Sequence, residues 1–328
     1  MIDDATAGRP GAPGGALVQA IAPGSNAPRF VFPAMLIDRK ALGDGLTLAE
    51  YVNVYATTRP LAPETIRQYR IAVGRFEEWA GAGVRLRELS ELMVSHWLRY
   101  LEGRVKPSTA RSKRNQILSL WRSAAGEYLC DPPTRAVRAT RVPWEPRECW
   151  TREEVLKLIH EASWAPRRHS CGLRRADWWE LAIRIGWDTG LRWGDQMRLR
   201  VDEMVEGLAV VRQRKTSGPV AVRLHPSTLA LLEWSLTEAP RELVTPWDAS
   251  QETFAKQLRL LVAKAGITPG TWRFLRRGGA TNIEGQAPNR GMAARHLGHA
   301  PGSKIAELNY INPRVVALAS PSIMPDEL

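Results

Sequence analysis

Four stretches in the first half of the chain carry apolar side chains at the three- and four-residue spacing of a helix buried along one side: residues 47–56, 63–80, 90–101 and 108–128. The second is the plainest of them. Pro63 and Glu64 suit a first turn, and Ile66, Tyr69, Val73, Phe76 and Trp79 fall on one stripe. The segment reads as a small all-helical domain spanning residues 44–132. Before it, residues 1–43 are rich in Gly, Pro and Ala with almost no periodic apolar pattern, the composition of a flexible arm.

Asp131-Pro132-Pro133 ends the fourth helical stretch, and residues 133–147 carry Pro143 and Pro146 with the spaced cations Arg135, Arg138 and Arg141, a basic linker. A second domain, residues 148–328, then begins on a helix start signal. Thr151 is an N-cap, Glu153 and Glu154 stand in the first turn, and Val155, Leu156, Leu158 and Ile159 supply the apolar face. A mostly apolar helix is predicted over 178–187, and a strand pair over 208–214 and 220–224 around the turn at Lys215-Thr216-Ser217-Gly218-Pro219. Further helices are predicted over 227–236, 250–265, 275–284 and 290–297. The expected fold class is mainly α: a small helical domain followed by a mixed α+β domain of helices with one small antiparallel sheet.

Composition narrows the partner. The 328 residues include 46 Lys and Arg against 34 Asp and Glu, a net charge of +12, which favours a polyanion. No apolar run approaches the roughly 20 residues needed to span a bilayer, and the first residues, acidic and then Gly/Pro/Ala-rich, lack the basic and apolar regions of a secretory signal. A cytoplasmic protein without membrane attachment is the expectation. Cys130, Cys149 and Cys171 are odd in number and form no C-x-x-C pair, so neither a disulfide framework nor a zinc site is indicated. The thirteen tryptophans run from Trp79 to Trp272 without a period and point to core and interface packing.

One cationic run stands out in the helical domain. Arg104, Lys106, Arg111, Lys113, Arg114 and Arg122 follow one another with no acidic residue until Glu127. Charge runs are commonly solvated helix faces, but a face of one sign has nothing to offset its repulsion without an anionic partner. These six are candidate contacts to a DNA backbone.

Chemistry gathers in the second domain. Tyr310 is the sole tyrosine after Tyr128 and stands eleven residues beyond His299, downstream of two arginine motifs. Thr189-Gly190-Leu191-Arg192-Trp193-Gly194-Asp195-Gln196-Met197-Arg198-Leu199 resembles the first arginine box of the tyrosine recombinase (phage integrase) family. Phe274-Leu275-Arg276-Arg277-Gly278-Gly279-Ala280-Thr281 is similar to the second arginine box, and His296-Leu297-Gly298-His299 to the histidine box. The 23 residues from Arg192 to Lys215, and again from Arg276 to His299, also fit.

That resemblance implies a site-specific DNA recombinase that cuts through a 3′-phosphotyrosyl intermediate and reseals to a partner strand, without metal, nucleotide or other cofactor. It implies double-stranded DNA as partner and assembly of a tetramer on it. Tyr310 would be the nucleophile, Arg192 and Arg276 the clamp on the non-bridging oxygens, His299 a hydrogen-bond donor to the phosphate, and Lys215 the acid for the departing 5′ oxygen. Guanidinium forks suit that clamp because they bind two oxygens at once and stay charged. Asp195, three residues beyond Arg192, would share its helix face and orient it.

Three departures from the family pattern accompany the match. Arg273 stands where histidine or lysine is usual, and arginine cannot accept a proton. Gly278-Gly279 replaces bulkier residues, at about 1 kcal/mol of helix propensity per glycine. The step from His299 to Tyr310 is a couple of residues longer than usual, with Pro301-Gly302 accommodating a looser turn. The rival readings are a DNA-relaxing enzyme of type IB topoisomerase chemistry and a non-catalytic DNA-binding descendant of an integrase.

Overall fold

A computed structural model of the chain describes residues 45–134, 137–213, 219–286, 291–299, 304–313 and 316. The predicted arm at residues 1–43, Arg135, the turn bearing Lys215, Arg290 and Pro301-Gly302 lie outside the described residues. The chain divides into two compact units, one up to Pro143 and the other from Trp144 onward.

Among the described residues the first unit has four α-helices: α1 (Leu48–Thr57), α2 (Pro63–Ala80), α3 (Glu91–Leu101) and α4 (Pro107–Gly126). Local chemistry starts each of them. Thr47 and Glu50 form a reciprocal capping box on α1, Pro63 occupies the first turn of α2, and Ser90 caps α3 through the amide of Met93. The stripe on α2 faces inward: Val73 and Phe76 are fully buried, with Ile66, Tyr69 and Trp79 packed around them. Phe76 meets Trp97 of α3 edge to face at 5.1 Å, and the Trp97 indole donates to the carbonyl of Arg75.

The second unit opens with α5 (Arg152–Ala162), on a capping box between Thr151 and Glu154. Leu156 does not belong to its apolar face. It is 53% exposed, because it lies about 100° around the helix from Val155 while Leu158, Ile159 and Ala162 return to the same side. The central helix α6 (Arg175–Thr189) is longer at both ends than its apolar run suggested and is buried over most of its length. Gly190 ends it in the left-handed conformation, φ 56°, and α7 (Trp193–Gln196) follows.

The sheet has three antiparallel strands in sequence order: β1 (Met204–Val205), β2 (Leu208–Arg212) and β3 (Pro219–Arg223). Ala209 pairs with Val222 and Val211 with Val220, and these four point to the buried side. The two-residue β1, too short for any periodicity, is an addition to the predicted hairpin. Five further helices follow among the described residues: α8 (Pro226–Glu238), α9 (Gln251–Lys264), α10 (Arg273–Gln286), α11 (Met292–His296) and α12 (Ile305–Asn309).

Aromatic rings fill the core of this unit. Trp178, Trp179, Trp247, Phe254 and Trp272 form a chain of ring contacts between 5.1 and 6.3 Å, which is where many of the tryptophans are used. Two helices then approach almost backbone to backbone. A Cβ on Gly279 of α10 would collide with the carbonyl of Trp187 on α6, and one on Gly278 with the carbonyl of Trp150 and the ring of Trp187. The glycine pair that weakens helix propensity is therefore what lets α10 lie against α6, and this contact sets Arg276 beside the end of α6.

Candidate active site

Three short segments that lie far apart in sequence converge on one guanidinium. Arg276, only 2% exposed, donates through Nη1 to the carbonyl of Gly190 and through Nη2 to that of Leu297 at 3.2 Å. It thereby ties the turn after α6 to the turn after α11. Gly190 is required on both counts, because a Cβ there would lie 3.0 Å from Leu297 and 3.3 Å from His296 in a left-handed residue. Burial and the neighbouring Arg192 cation lower the pKa of Arg276 to about 10, still charged at neutral pH.

Arg192 is the N-cap residue of α7, with its guanidinium partly exposed. Its Nη1 donates to Oε1 of Gln213 at 2.5 Å and lies 3.8 Å from the carboxylate of Asp195. Asp195 thus faces the guanidinium that the sequence assigned it to orient. Gln213, 1% exposed at the end of β2, passes the tie on by donating to Leu297 O at 3.1 Å. Sequence reading missed this glutamine, since no motif marks it; its one signal is an uncharged polar residue closing an alternating strand. Lys215, two residues further, lies outside the described residues.

The histidine box turns on Gly298, φ 69°, which packs against Val220 and Gln213 with no room for a Cβ. That turn returns His299 toward Tyr310, their ring centroids 5.4 Å apart. Burial, with Arg276 and Arg192 nearby, lowers the pKa of His299, and His296 is pushed down to about 4 by burial and Arg276. Both rings are neutral at pH 7.

Tyr310 caps α12 and places its ring 4.8 Å from the Arg276 guanidinium. Burial alone would raise its pKa, but Arg276, Arg192 and Arg273 together outweigh burial and lower it. Arg273 is exposed at the first residue of α10, one turn before Arg276. Arg192, Arg198, Arg259, Arg273, Arg276 and Tyr310 all line one cleft of about 760 Å³, and among the described residues no carboxylate lines it. Tyr310, Arg192, Arg276 and Arg273 are therefore brought together, with His299 against the tyrosine.

The candidate DNA contacts of the first unit separate by environment. Arg104, Lys106, Arg111 and Arg122 are exposed, and Arg111 and Arg122, eleven residues apart, fall within about 20° of each other around α4. Lys113 is different: it is 5% exposed and donates to Gln68 O and Gln116 Oε1, with its pKa lowered by burial. Lys113 therefore fills an interior site, its long stem suiting it to bury while its ammonium finds a carbonyl. Arg114 donates to the carbonyls of Val137 and Arg138 and so anchors the segment that follows α4.

No family model matches the chain. An integrase of Enterobacteria phage 434 is 25% identical over 197 residues, 58% of this chain and 51% of that protein, so the chain spans about half the length of the curated relative it matches. The structure of a lambda integrase tetramer bound to a Holliday junction superimposes with a TM-score of 0.64 at 20% identity, covering 82% of this chain and 79% of the other. The XerH site-specific recombinase bound to a palindromic difH substrate gives 0.62 at 17% identity, covering 85% of each chain. The fold is that of the tyrosine recombinases. Within that tyrosine recombinase fold, the first arginine box lies at the end of α6 and on α7, before the sheet, and the later boxes lie on the helices after it.

Proposed function

We propose that the chain is a site-specific DNA recombinase that cleaves one strand by attack of Tyr310 Oη on a phosphodiester and reseals it to a partner strand. One observation carries this reading: the Tyr310 ring lies under the Arg276 guanidinium and beside His299, in a cleft with five arginines. In-line attack spreads negative charge over the non-bridging oxygens, and Arg192 and Arg276 are already fixed where a phosphate reaching Tyr310 would meet them. Their charge also eases loss of the phenolic proton, consistent with the lowered pKa of Tyr310. His299 donates a hydrogen bond to the phosphate, Arg273 serves as a further donor, Asp195 steadies Arg192, and Lys215 protonates the departing 5′ oxygen. The product is a 3′-phosphotyrosyl bond, which conserves the phosphodiester energy for religation.

Double-stranded DNA is the substrate, with the exposed cations Arg104, Lys106, Arg111 and Arg122 of the first unit gripping the backbone. Each protomer cuts one strand, so exchange between two duplexes requires four, the state in which lambda integrase is bound to a Holliday junction. Among the described residues no helix is long and apolar enough to cross a membrane, and we place the activity in the cytoplasm. The test is a nicked suicide duplex that traps the covalent intermediate. The parent chain forms an adduct and exchanges labelled strands, while Tyr310→Phe binds the site but forms none. An adduct from the phenylalanine variant overturns the assignment, and supercoil relaxation without strand exchange would favour a topoisomerase.

A further inference from the structure

The carbonyls that end α12 are held from outside it. Arg277 Nε donates to Asn309 O at 3.2 Å, and Arg147 Nε to Leu308 O at 3.4 Å. The helix has five residues and no basic residue in its last turn, and its own Asn309 Nδ2 donates to Ile305 O and not to the carbonyls of Leu308 and Asn309. Arg277 also donates through Nη1 to the carbonyl of Glu148 at 3.1 Å. One half-buried guanidinium therefore joins the chain just ahead of α5 to the turn that delivers Tyr310. A planar fork can donate in both directions at once; a lysine ammonium on a single flexible stem is a poorer bridge.

Thr281, one turn along α10 and 1% exposed, adds a second tie. Its Oγ1 donates to Tyr310 O at 3.4 Å and accepts from Asn312 N at 3.0 Å. Arg276 and Arg277 are consecutive and so point about 100° apart around α10. The first reaches the tyrosine ring and the cleft, the second the carbonyl of Asn309 just before it. A single rigid helix carries both the phosphate clamp and the anchor of the nucleophile.

We propose that Arg277 is a positioning residue: with Thr281 it latches the backbone around Tyr310 to α10, and so holds the phenol against Arg276 of the same protomer before DNA binds. The role rests on the reading of Tyr310 as the nucleophile, but the latch itself is a property of the free protein. Arg277 is set apart from the phosphate clamp because it does not line the cleft that Arg192, Arg276 and Tyr310 share, and its bonds run to Asn309 and Glu148 outside it.

Two measurements on full-length protein test it. Hydrogen exchange of free Arg277→Ala should quicken at the amides of residues 310–312 by about tenfold while the buried turn of α10 stays as protected as in the parent. In the second, hydrogen peroxide replaces the tyrosine in a Tyr310→Phe background: hydroperoxide bonds to phosphorus, the bond to the 5′ oxygen breaks, and that oxygen takes up a proton. Adding Arg277→Ala should leave this reaction within about twofold, whereas with Tyr310 present adduct formation slows by on the order of 10², the effect of misplacing an attacking group. Arg277→Lys should recover part of the rate. Unchanged exchange at residues 310–312 overturns the latch, and equal slowing of both cleavage reactions shows instead that Arg277 acts on the phosphate site or the fold. Absence of an adduct from the parent would sink the tyrosine reading, and the exchange result still decides the latch.

Discussion

Gly278→Ala should destabilise the second unit even though it removes a glycine from a helix interior. In an open helix position the exchange gains about 1 kcal/mol. At Gly278 the new methyl would meet the carbonyl oxygen of Trp150 and the ring of Trp187 far inside contact distance. Trp150 cannot yield easily, since it is fully buried and its indole donates to Thr268 O at 2.7 Å. Overpacking costs about 1–3 kcal/mol, and a backbone obstacle belongs at the upper end of that range. The net effect is then a loss of about 2 kcal/mol, which for a body of this size lowers the unfolding midpoint by about 4–8 °C. Because Arg276 stands two residues earlier on α10, tyrosine adduct formation should fall as well. Gly74, inside α2 with nothing within 4 Å of an added Cβ, provides the control; Gly74→Ala should stabilise the first unit by about 0.4–1 kcal/mol. Calorimetry of the two variants against the parent decides the matter. A Gly278→Ala protein as stable as the parent would refute the argument that helix approach dictates this glycine.

Acid should weaken the fold through His169 and His296, both lowered to about 4 by burial. Their contribution is complete above the ordinary histidine pKa of about 6.5 and is lost as pH falls toward 4, at no more than about 1.4 kcal/mol per pH unit for each; denaturant titrations at pH 7.5 and pH 5 that give equal stabilities would contradict it. Arg273→Ala should slow single-turnover cleavage by on the order of 10² while Arg273→His keeps measurable activity, and an alanine variant as fast as the parent removes Arg273 from the site. Arg111→Ala and Arg122→Ala should each reduce the salt dependence of DNA binding by roughly 0.9 in slope, whereas Lys113→Ala should not; a reduced slope for Lys113→Ala would mean its ammonium leaves the interior to meet DNA.

What the sequence determined by itself is what physics settles within a turn or two of chain. The start of α5 was legible because Thr151 and Glu154 cap each other across three residues, and the hairpin because the β-prone runs Ala209-Val210-Val211 and Val220-Ala221-Val222 flank a turn. The boxes around Arg192, Arg276, His299 and Tyr310 were legible because their residues, order and spacing resemble those of the tyrosine recombinase family. Tertiary structure decided the rest. Gln213 enters the site only when β2 is laid beside α7 and the histidine turn, and Arg276 reaches the carbonyl of Gly190 across 86 residues of sequence. The same holds for Gly278, which looks like a weakness in a helix until Trp150 is seen against it, and for Lys113, which looks like a surface cation until Gln68 O is found beside its ammonium. Caps and periodicity are short-range and depend on neighbours in the chain; close helix approach and shared carbonyls depend on groups that become neighbours only after the core has packed.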